Sequence, residues 1–384
     1  MNNITRVGIV GTGLIGKGIA LEVEKQSELK LSTVLTRRDI STMNEYPFRE
    51  ALTNSVDELI GNCELVVECS GDVIYGTEVI DQAIKASLPV VTMNAELQVT
   101  TGSYFAKRGF ITEAEGDQPG CLASLHENVL EMGFKPLVYG NIKGFLKLDP
   151  VLEDMEYFSK RNGVRLDMTT SFTDGTKVQV EQVLVANGLG AGIAVEGLLA
   201  PSSDDLNETG AELAEEANRL GYPISEFVLA PKAPPGVFIT AEHDSRQKDA
   251  LRYFKMGDGP YYTILQNFHL CHLEVVKTIK RVINGGGVLL NNGEDPTLSV
   301  AAITKRTLQP GEKVDKGIGS FQVRGEAVRL ATNKNHVPIG LLVNAVMKRQ
   351  VEEGEIVTFD DVELPESLAL TAWLETTNKA PVNI

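Results

Sequence analysis

The sequence has few cysteines and no long apolar run, and both absences exclude classes of protein. The 384 residues include four cysteines without a CxxC pair, which indicates neither a disulfide framework nor a cysteine-based zinc site. The most apolar stretch, residues 183–200, is interrupted by Asn187 and Glu196, a pattern unsuited to a membrane span. Residues 1–6 show no basic segment followed by an apolar one, unlike a signal peptide. We therefore expect a soluble, cytoplasmic protein.

Positive charge is also scarce. Lys and Arg number 36 against 52 Asp and Glu, giving a formal net charge of −16. Such a field repels phosphate backbones and anionic lipid surfaces, so we expect neither nucleic acid nor a membrane as a partner. An anionic small substrate stays compatible, because distant charges are screened over about 10 Å. The hydrophobic content of 42% is that of a globular protein, and the length predicts two or three domains.

A glycine-rich turn follows the first predicted strand, residues 7–10. A helical pattern follows the turn, and this order of strand, turn and helix is typical of a dinucleotide-binding unit. One glycine makes the tight turn, the second admits a pyrophosphate, and the third allows helix and strand to pack closely. A plain surface turn is the alternative. The predicted cofactor-binding residues of this turn are Gly11, Thr12, Gly13, Leu14, Ile15 and Gly16.

The second strand, residues 31–35, ends without the carboxylate that an NAD-binding protein usually places on the ribose diol. Thr36, Arg37 and Arg38 stand there instead. A hydroxyl and a guanidinium suit a 2′-phosphate, so we predict NADP(H) in preference to NAD(H). Two solvated arginines at a strand end are the alternative.

Two later strand segments, residues 65–71 and 89–94 including their polar carboxyl ends, flank a predicted helix at residues 77–86 and imply a parallel sheet. Ligands in such sheets bind outside the carboxyl ends of the strands. Polar and small residues follow both strands, and we predict that they lie near the nicotinamide. These residues are Ser70, Gly71 and Asn94, with Glu96 as a candidate catalytic group.

Three carboxylates, Glu113, Glu115 and Asp117, are spaced two apart after a strand that starts at Phe110. In an extended chain all three point to one face. Like charges on one face must be solvated, matched by cations or shared with a metal. We therefore consider a divalent cation on Glu115 and Asp117, with an exposed acidic strand end as the alternative.

Lys177 falls in the first turn of a predicted helix, where the helix dipole disfavours a cation. Stability alone does not place a lysine there, so Lys177 is the candidate acid, base or anion anchor. Asp174 stands in the same turn and joins Asp117 and Glu96 as a candidate catalytic residue. Thr176 and Gln179 are spaced as a capping box. A solvated lysine at a helix start is the alternative.

The order of these motifs resembles the homoserine dehydrogenase-like oxidoreductases that carry a C-terminal SAF domain. His269 and His272 belong to one of the matching motifs; we predict that they pack on a helix continuing to Ile279, with a zinc role as the less favoured alternative. The resemblance covers nearly the whole chain. It rests on residues 11–16, 115–119, 171–181, 255–260, 269–274 and 302–312.

The resemblance implies an α/β fold with three domains: a Rossmann domain over residues 1–145, an α+β catalytic domain over 146–295 and a small all-β SAF-type domain over 296–384. One branch of the family resembles 1-deoxy-D-xylulose 5-phosphate reductoisomerase, an NADPH-dependent enzyme of isoprenoid biosynthesis. Lys177 is similar to the second active-site lysine of homoserine dehydrogenases. Their first lysine, after the strand-end asparagine, is replaced here by Ala95 and Glu96.

The predicted function is NADP(H)-dependent reduction of a small polar carbonyl compound that carries a phosphate in the reductoisomerase case. Glu181 joins Glu115 and Asp117 as a metal ligand in that case. One alternative is a homoserine dehydrogenase-type aldehyde reductase that needs no metal. Another is a dinucleotide-binding regulatory protein without turnover. We expect a homo-oligomer, with the β tail covering the active site or mediating assembly.

Overall fold

The structure, a computed structural model, describes residues 4–377. These residues form two compact units, each made from separate stretches of the chain. The first unit comprises residues 4–120, 269–295 and 367–377. The second comprises residues 121–268 and 296–366. The chain therefore passes from one unit to the other four times.

The first unit is built on a six-stranded parallel sheet with the order β3-β2-β1-β4-β5-β6. Apolar strands such as β1 and β4 are buried because helices cover both faces of a parallel sheet. The elements are β1 (Thr5–Val10), α1 (Leu14–Val23), β2 (Leu29–Leu35), β3 (Leu52–Thr53), α2 (Val56–Asn62), β4 (Leu65–Glu68), α3 (Val73–Lys85), β5 (Val90–Thr92), α4 (Ala95–Leu97), a π-helix (Gln98–Gly102), α5 (Ser103–Ala106), β6 (Ile111–Glu113), α12 (Val275–Ile283) and α13 (Leu368–Thr376).

The core of this unit includes Val7, Ile9 and Val67 from the central strands, Ile19 from α1 and Ile279 from α12, all fully buried. The sheet is of the Rossmann type, which confirms the coarse prediction for the N-terminal region. All five predicted strands and the predicted helix lie at the expected places, with ends shifted by a few residues.

The second unit contains a mixed four-stranded sheet with the order β10-β9-β7-β8. Only β7 and β8 are parallel. Helix α10 packs on this sheet through Leu213, Ala214 and Ala217. The elements are α6 (Gln118–Glu131), which begins in the first unit, β7 (Lys135–Lys143), α7 (Leu152–Asn162), α8 (Leu166–Thr173), α9 (Thr176–Leu189), α10 (Leu206–Leu220), β8 (Ile224–Leu229), β9 (Gly236–Glu242), α11 (Lys248–Tyr253) and β10 (Tyr261–Gln266).

Residues 296–366 form short antiparallel strands, and we call this part of the second unit the β-module. Strands β11 and β13 pair with each other, and β14 lies between β12 and β15. The short strands between turns agree with the predicted β tail. The elements are β11 (Leu298–Thr304), β12 (Lys313–Lys316), β13 (Val323–Arg329), β14 (Val343–Met347) and β15 (Val362–Glu363).

The units differ from the three predicted domains in two respects. The predicted boundary at 145 falls after β7, which is already a central strand of the second unit's sheet. The predicted all-β region, 296–384, is interrupted because α13 is a helix of the first unit, with Trp373 buried. Its seven C-terminal residues, 378–384, lie outside the described residues. A search of the described chain for a helix long and apolar enough to cross a membrane found none.

Candidate active site

The glycine turn lies between β1 and α1, as predicted. Gly11 has φ +121°, a backbone conformation that favours glycine. A Cβ at Gly16 would lie 2.1 Å from the Gly11 carbonyl oxygen, whereas a Cβ at Gly13 would meet no atom within 4 Å. Gly13 is the N-cap of α1, and, having no side chain, it does not cap the first N–H groups of the helix. This arrangement fits a dinucleotide diphosphate at a helix N-terminus.

The three residues predicted to bind a 2′-phosphate, Thr36, Arg37 and Arg38, follow the end of β2 beside this turn. The Thr36 hydroxyl lies 3.0 Å from that of Thr12, which joins the two strand ends. The Arg37 guanidinium pairs with Asp72 at 2.8 Å and lies 4.4 Å from the ring centre of Tyr75. Arg38 is exposed, and its backbone N–H donates to the Thr36 hydroxyl at 3.2 Å. A planar cation, paired with Asp72, and a hydroxyl therefore stand at the second strand end, and their role toward a 2′-phosphate stays a prediction.

A buried carboxylate, Glu68, connects the ends of β4 and β5, and sequence reasoning missed its role. Its Oε1 accepts hydrogen bonds from the backbone and hydroxyl of Ser70 at 2.8 and 2.5 Å. Its Oε2 accepts from the Thr92 hydroxyl at 3.0 Å, and that hydroxyl accepts from the Asn94 backbone N–H. Burial raises the pKa of Glu68, while bonds from Ser70, Thr92 and Asn94 oppose the shift. Glu68 thus fixes the two strand exits predicted to lie near the nicotinamide.

Gly71 and Glu96 lie beside these exits. Gly71 has φ +64° and directly precedes Asp72, the N-cap of α3. Glu96 is half-buried in the first turn of α4, and its carbonyl accepts from the Thr100 hydroxyl at 2.6 Å. The catalytic role of Glu96 stays a prediction.

The three spaced carboxylates do not share one extended face, and that prediction is wrong. Glu113 is fully buried in β6, and Gly116 turns the chain with φ +124°. The Gly116 carbonyl accepts from the backbone N–H of Cys271 at 2.9 Å. Glu115 forms an ion pair with Lys277 at 2.6 Å, so a cation from α12 compensates it. Asp117 is half-buried immediately before α6.

The histidine motif also differs from its prediction. His269 lies in a loop, residues 271–273 form a single 3₁₀ turn, and α12 begins only at Val275. Cys271 has φ +44°, which interrupts a continuous helix. The Nε2 atom of His269 lies 3.2 Å from the amide nitrogen of Gln118. His272 packs against α1, where a Cβ at Gly18 would lie 2.3 Å from its ring. Both histidines therefore hold this segment against other parts of the first unit.

Two lysines share one buried carboxylate in the second unit. Glu181, on α9, lies 3.0 Å from Lys143 Nζ through Oε2 and 3.9 Å from Lys177 Nζ through Oε1. The Glu181 side chain is 1% exposed, and those of Lys143 and Lys177 are 18% and 11% exposed. The Asn141 amide also donates to Glu181 at 2.8 Å. We call Lys143, Lys177 and Glu181 the lysine cluster.

Lys143 was not identified from the sequence. Residues 139, 141 and 143 of β7 alternate along the strand and so share one face of the sheet, and the Asn141 amide contacts Glu181 of α9 from that face. The alternation of tyrosine, asparagine and lysine along a buried strand was the available signal. Two ammonium groups around one carboxylate can hold an anionic group of a substrate and can supply a proton.

Asp174 lies close to Lys177 in sequence but is buried in a different set of contacts. Its side chain is 0% exposed and pairs with Lys305 of the β-module at 2.6 Å. Its other oxygen, Oδ1, accepts from the Thr176 backbone N–H at 2.9 Å. The predicted capping box is wrong, because Gly175 is the N-cap and the Gln179 side chain bonds Gly197 and Ala327. Asp174 is therefore placed to orient the start of α9.

The predicted metal ligands do not come together as a metal site. Across residues 4–377, no group of three or more His, Cys, Asp or Glu side chains is arranged to hold a metal ion. Glu115 and Glu181 are paired with lysines of their own units, whereas a metal centre needs carboxylate oxygens directed at one point. These carboxylates do not fit a shared cation.

Glu226, on β8, is a buried carboxylate with a role in stability. It accepts backbone hydrogen bonds from Leu199, Ala200 and Phe227 at 2.7, 3.2 and 2.9 Å. Burial raises the pKa of Glu226 to about 7, and the three N–H donors oppose that shift. A raised pKa in the folded state gives stability that is complete below the unfolded pKa and is lost as the pH rises through the folded value.

We expect Glu226→Gln to remove this pH dependence. Between pH 4 and pH 8 the wild-type protein should lose about 3 kcal/mol more unfolding free energy than the variant. Urea unfolding at a series of pH values measures the difference. The exposed Glu212→Gln on α10 is the control. Parallel curves for wild type and Glu226→Gln would show that Glu226 does not titrate in this range.

Two family models match the chain. One is described as the NAD binding domain of homoserine dehydrogenase and matches residues 11–106. The other is described as the catalytic domain of oxidoreductase DRL and matches residues 116–275. The chain is an NAD(P)-dependent oxidoreductase. The first match contains the glycine turn and Glu68, and the second contains the lysine cluster of this oxidoreductase. The homoserine dehydrogenase-like resemblance is thereby confirmed for the dinucleotide-binding part.

Solved structures similar to the oxidoreductase include UDP-N-acetylglucosamine 3-dehydrogenase GnnA from Acidithiobacillus ferrooxidans. It is 12% identical, with a TM-score of 0.41 over 75% of this chain and 92% of that chain. GenD2 from gentamicin A biosynthesis, solved in complex with NAD, is 14% identical, with a TM-score of 0.36 over 68% of this chain and 72% of that chain. No curated protein sequence matches the chain.

Proposed function

We propose that this oxidoreductase uses NADP(H) to reduce a small polar carbonyl compound that carries an anionic group such as a phosphate. The observation that carries the proposal is the lysine cluster, in which Glu181 holds the ammonium groups of Lys143 and Lys177. The bound dinucleotide would supply the hydride. Its binding residues would be the glycine turn, Thr36 and Arg37.

The protein groups have separate roles in this proposal. Lys177 donates a proton to the carbonyl oxygen as the alcohol forms. Lys143 binds the anionic group of the substrate as a compact cation. Glu181 directs both lysines, because its two oxygens lie 3.0 Å from Lys143 Nζ and 3.9 Å from Lys177 Nζ. Asp117 and Glu96 stay candidates for orienting the substrate.

A substrate screen tests the proposal. NADPH oxidation is followed by the loss of nicotinamide absorbance with phosphorylated ketoses, semialdehydes and their unphosphorylated analogues. We expect turnover with a phosphorylated compound and a much higher KM for its analogue. In Lys143→Ala, the KM of the phosphorylated compound should rise toward that of the analogue. Equal KM values for both compounds in the wild type would contradict an anion-binding role.

The cofactor preference gives a separate prediction. Arg37→Ala should weaken NADPH binding by about 1–3 kcal/mol, the value of a charge-assisted hydrogen bond, and should leave NADH binding nearly unchanged. Two titrations, one with NADPH and one with NADH, followed by the fluorescence of the reduced nicotinamide, measure both affinities. The exposed Arg49→Ala is the matched control. Tighter binding of NADH than of NADPH by the wild type would overturn the proposed role of Arg37.

Metal removal distinguishes the two proposed reaction types. Because Glu115 and Glu181 are paired with lysines, we expect dialysis against EDTA to leave the turnover of the wild type unchanged. The turnover of Glu115→Gln and Asp117→Asn should likewise be the same before and after EDTA treatment. Loss of activity that Mg²⁺ or Mn²⁺ restores would instead favour the reductoisomerase-like reaction.

The SAF assignment, a role in isoprenoid biosynthesis, a cytoplasmic location and a homo-oligomeric state stay predictions.

A further inference from the structure

A buried ion pair joins the β-module to the turn before α9. The Nζ atom of Lys305, at the end of β11, lies 2.6 Å from Asp174 Oδ2 and donates to the Ser320 carbonyl at 2.6 Å. The side chains of Lys305 and Asp174 are 4% and 0% exposed. Both residues belong to the second unit. The pair therefore fixes the end of α8 to the β-module inside the second unit.

The same carboxylate holds the first residue of α9. Asp174 Oδ1 accepts from the Thr176 backbone N–H at 2.9 Å. Gly175, between them, has φ +87° and provides no side-chain cap. The chain of contacts runs from Lys305 through Asp174 to Thr176, which directly precedes Lys177. A displacement of Asp174 would thus be transmitted to the helix start that carries Lys177.

A second set of bonds fixes the rotation of α9 about its axis. The Thr176 hydroxyl accepts from the Gly325 backbone N–H at 2.9 Å. The side-chain amide oxygen of Gln179 accepts from the Ala327 backbone N–H at 2.9 Å. Residues three apart share one face of a helix, so Thr176 and Gln179 bind the face of α9 to β13. Lys177 and Glu181, four apart, share a different face.

We propose that the β-module positions the lysine cluster, with Lys305 as the positioning residue. A buried ion pair is weak support for stability, because apolar residues of similar volume often stabilise as well. The pair between Lys305 and Asp174 instead specifies one orientation of the α9 start, and so of Lys177. This inference rests on the proposed function only for its effect on turnover.

The test measures the environment of Lys177 without a substrate. Competitive labelling of lysines with acetic anhydride, followed by mass spectrometry, gives the reactivity of Lys177 as a function of pH in the full-length protein. In Lys305→Met we expect Lys177 to label severalfold faster, because its side chain is released. We also expect kcat to fall by up to about a hundredfold while NADPH affinity is unchanged.

Two further variants keep the test decisive. Lys316→Met removes a partly exposed pair with Asp167 between the β-module and α8, and it should leave Lys177 labelling unchanged. The double variant Asp174→Asn/Lys305→Met has no unpaired buried charge, so it should fold where the single variant does not. It keeps an acceptor for Thr176 but loses the link to Lys305, and Lys177 should again label faster.

Wild-type labelling of Lys177 in the double variant, or equal effects of Lys305→Met and Lys316→Met, would overturn the positioning role. Failure of the proposed function has a different signature. In that case the labelling of Lys177 would change as expected in the Lys305 variants, but Lys177→Ala would keep full turnover.

Discussion

Replacing Lys177 with alanine is expected to lower kcat by about 10²–10⁴-fold, the range of a lost general acid or base. The affinity for NADPH should be unchanged, because the proposed dinucleotide-binding residues are the glycine turn, Thr36 and Arg37 and do not include Lys177. The variant should also remain folded, since Glu181 keeps its ion pair with Lys143 at 3.0 Å. Steady-state kinetics and NADPH titration on the same preparation measure the two effects.

A matched control is available in the same unit. Lys147 forms an exposed pair with Asp154 at 3.4 Å, and Lys147→Ala should leave both kcat and NADPH binding unchanged. Full activity in Lys177→Ala would remove this lysine from the mechanism. Loss of NADPH binding in the variant would show that the substitution disturbs more than the lysine cluster.

Replacing Gly13 with alanine should give the opposite result, a folded protein that binds the cofactor poorly. A Cβ at Gly13 meets no atom within 4 Å, and replacing glycine by alanine at a helix N-cap costs about 1 kcal/mol or less, too little to unfold the protein. The added methyl group would occupy the space of the diphosphate. The penalty of overpacking, about 1–3 kcal/mol, corresponds to roughly 5- to 150-fold in Kd.

The neighbouring Gly16→Ala should differ, because its Cβ would lie 2.1 Å from the Gly11 carbonyl oxygen. We expect this variant to lose stability as well as binding. Gly61→Ala in α2, where a Cβ also meets nothing within 4 Å, should keep wild-type binding. Thermal unfolding and NADPH titration of the three variants separate these outcomes. Unchanged NADPH affinity in Gly13→Ala would place the diphosphate elsewhere.

The parallel sheet of the first unit could be predicted from the sequence because its signals are local. An apolar run, a glycine turn and an amphipathic helix occur in order along the chain. The residues that follow each apolar run can therefore be placed at the carboxyl end of that strand. The same locality explains the errors. Gly116, with φ +124°, turns the chain between carboxylates that simple alternation places on one face, and Cys271, with φ +44°, interrupts the helix predicted through His269.

The lysine cluster was only half predictable. Lys177 and Glu181 are four residues apart on one helix, a spacing that sequence can reveal. Lys143 reaches the same carboxylate from β7, 38 residues away from Glu181, and Lys305 reaches Asp174 across 131 residues. Such long-range pairs depend on how strands and helices pack. The place of α13 in the first unit was missed for the same reason.

The most direct test of the proposed function is NADPH oxidation with a phosphorylated carbonyl compound, measured for the wild type and for Lys177→Ala at saturating NADPH. The proposal predicts turnover by the wild type, loss of about 10²–10⁴-fold in the variant, and equal NADPH affinity for both proteins. Equal turnover by the two proteins, or wild-type turnover that does not distinguish phosphorylated from unphosphorylated carbonyl compounds, would contradict it.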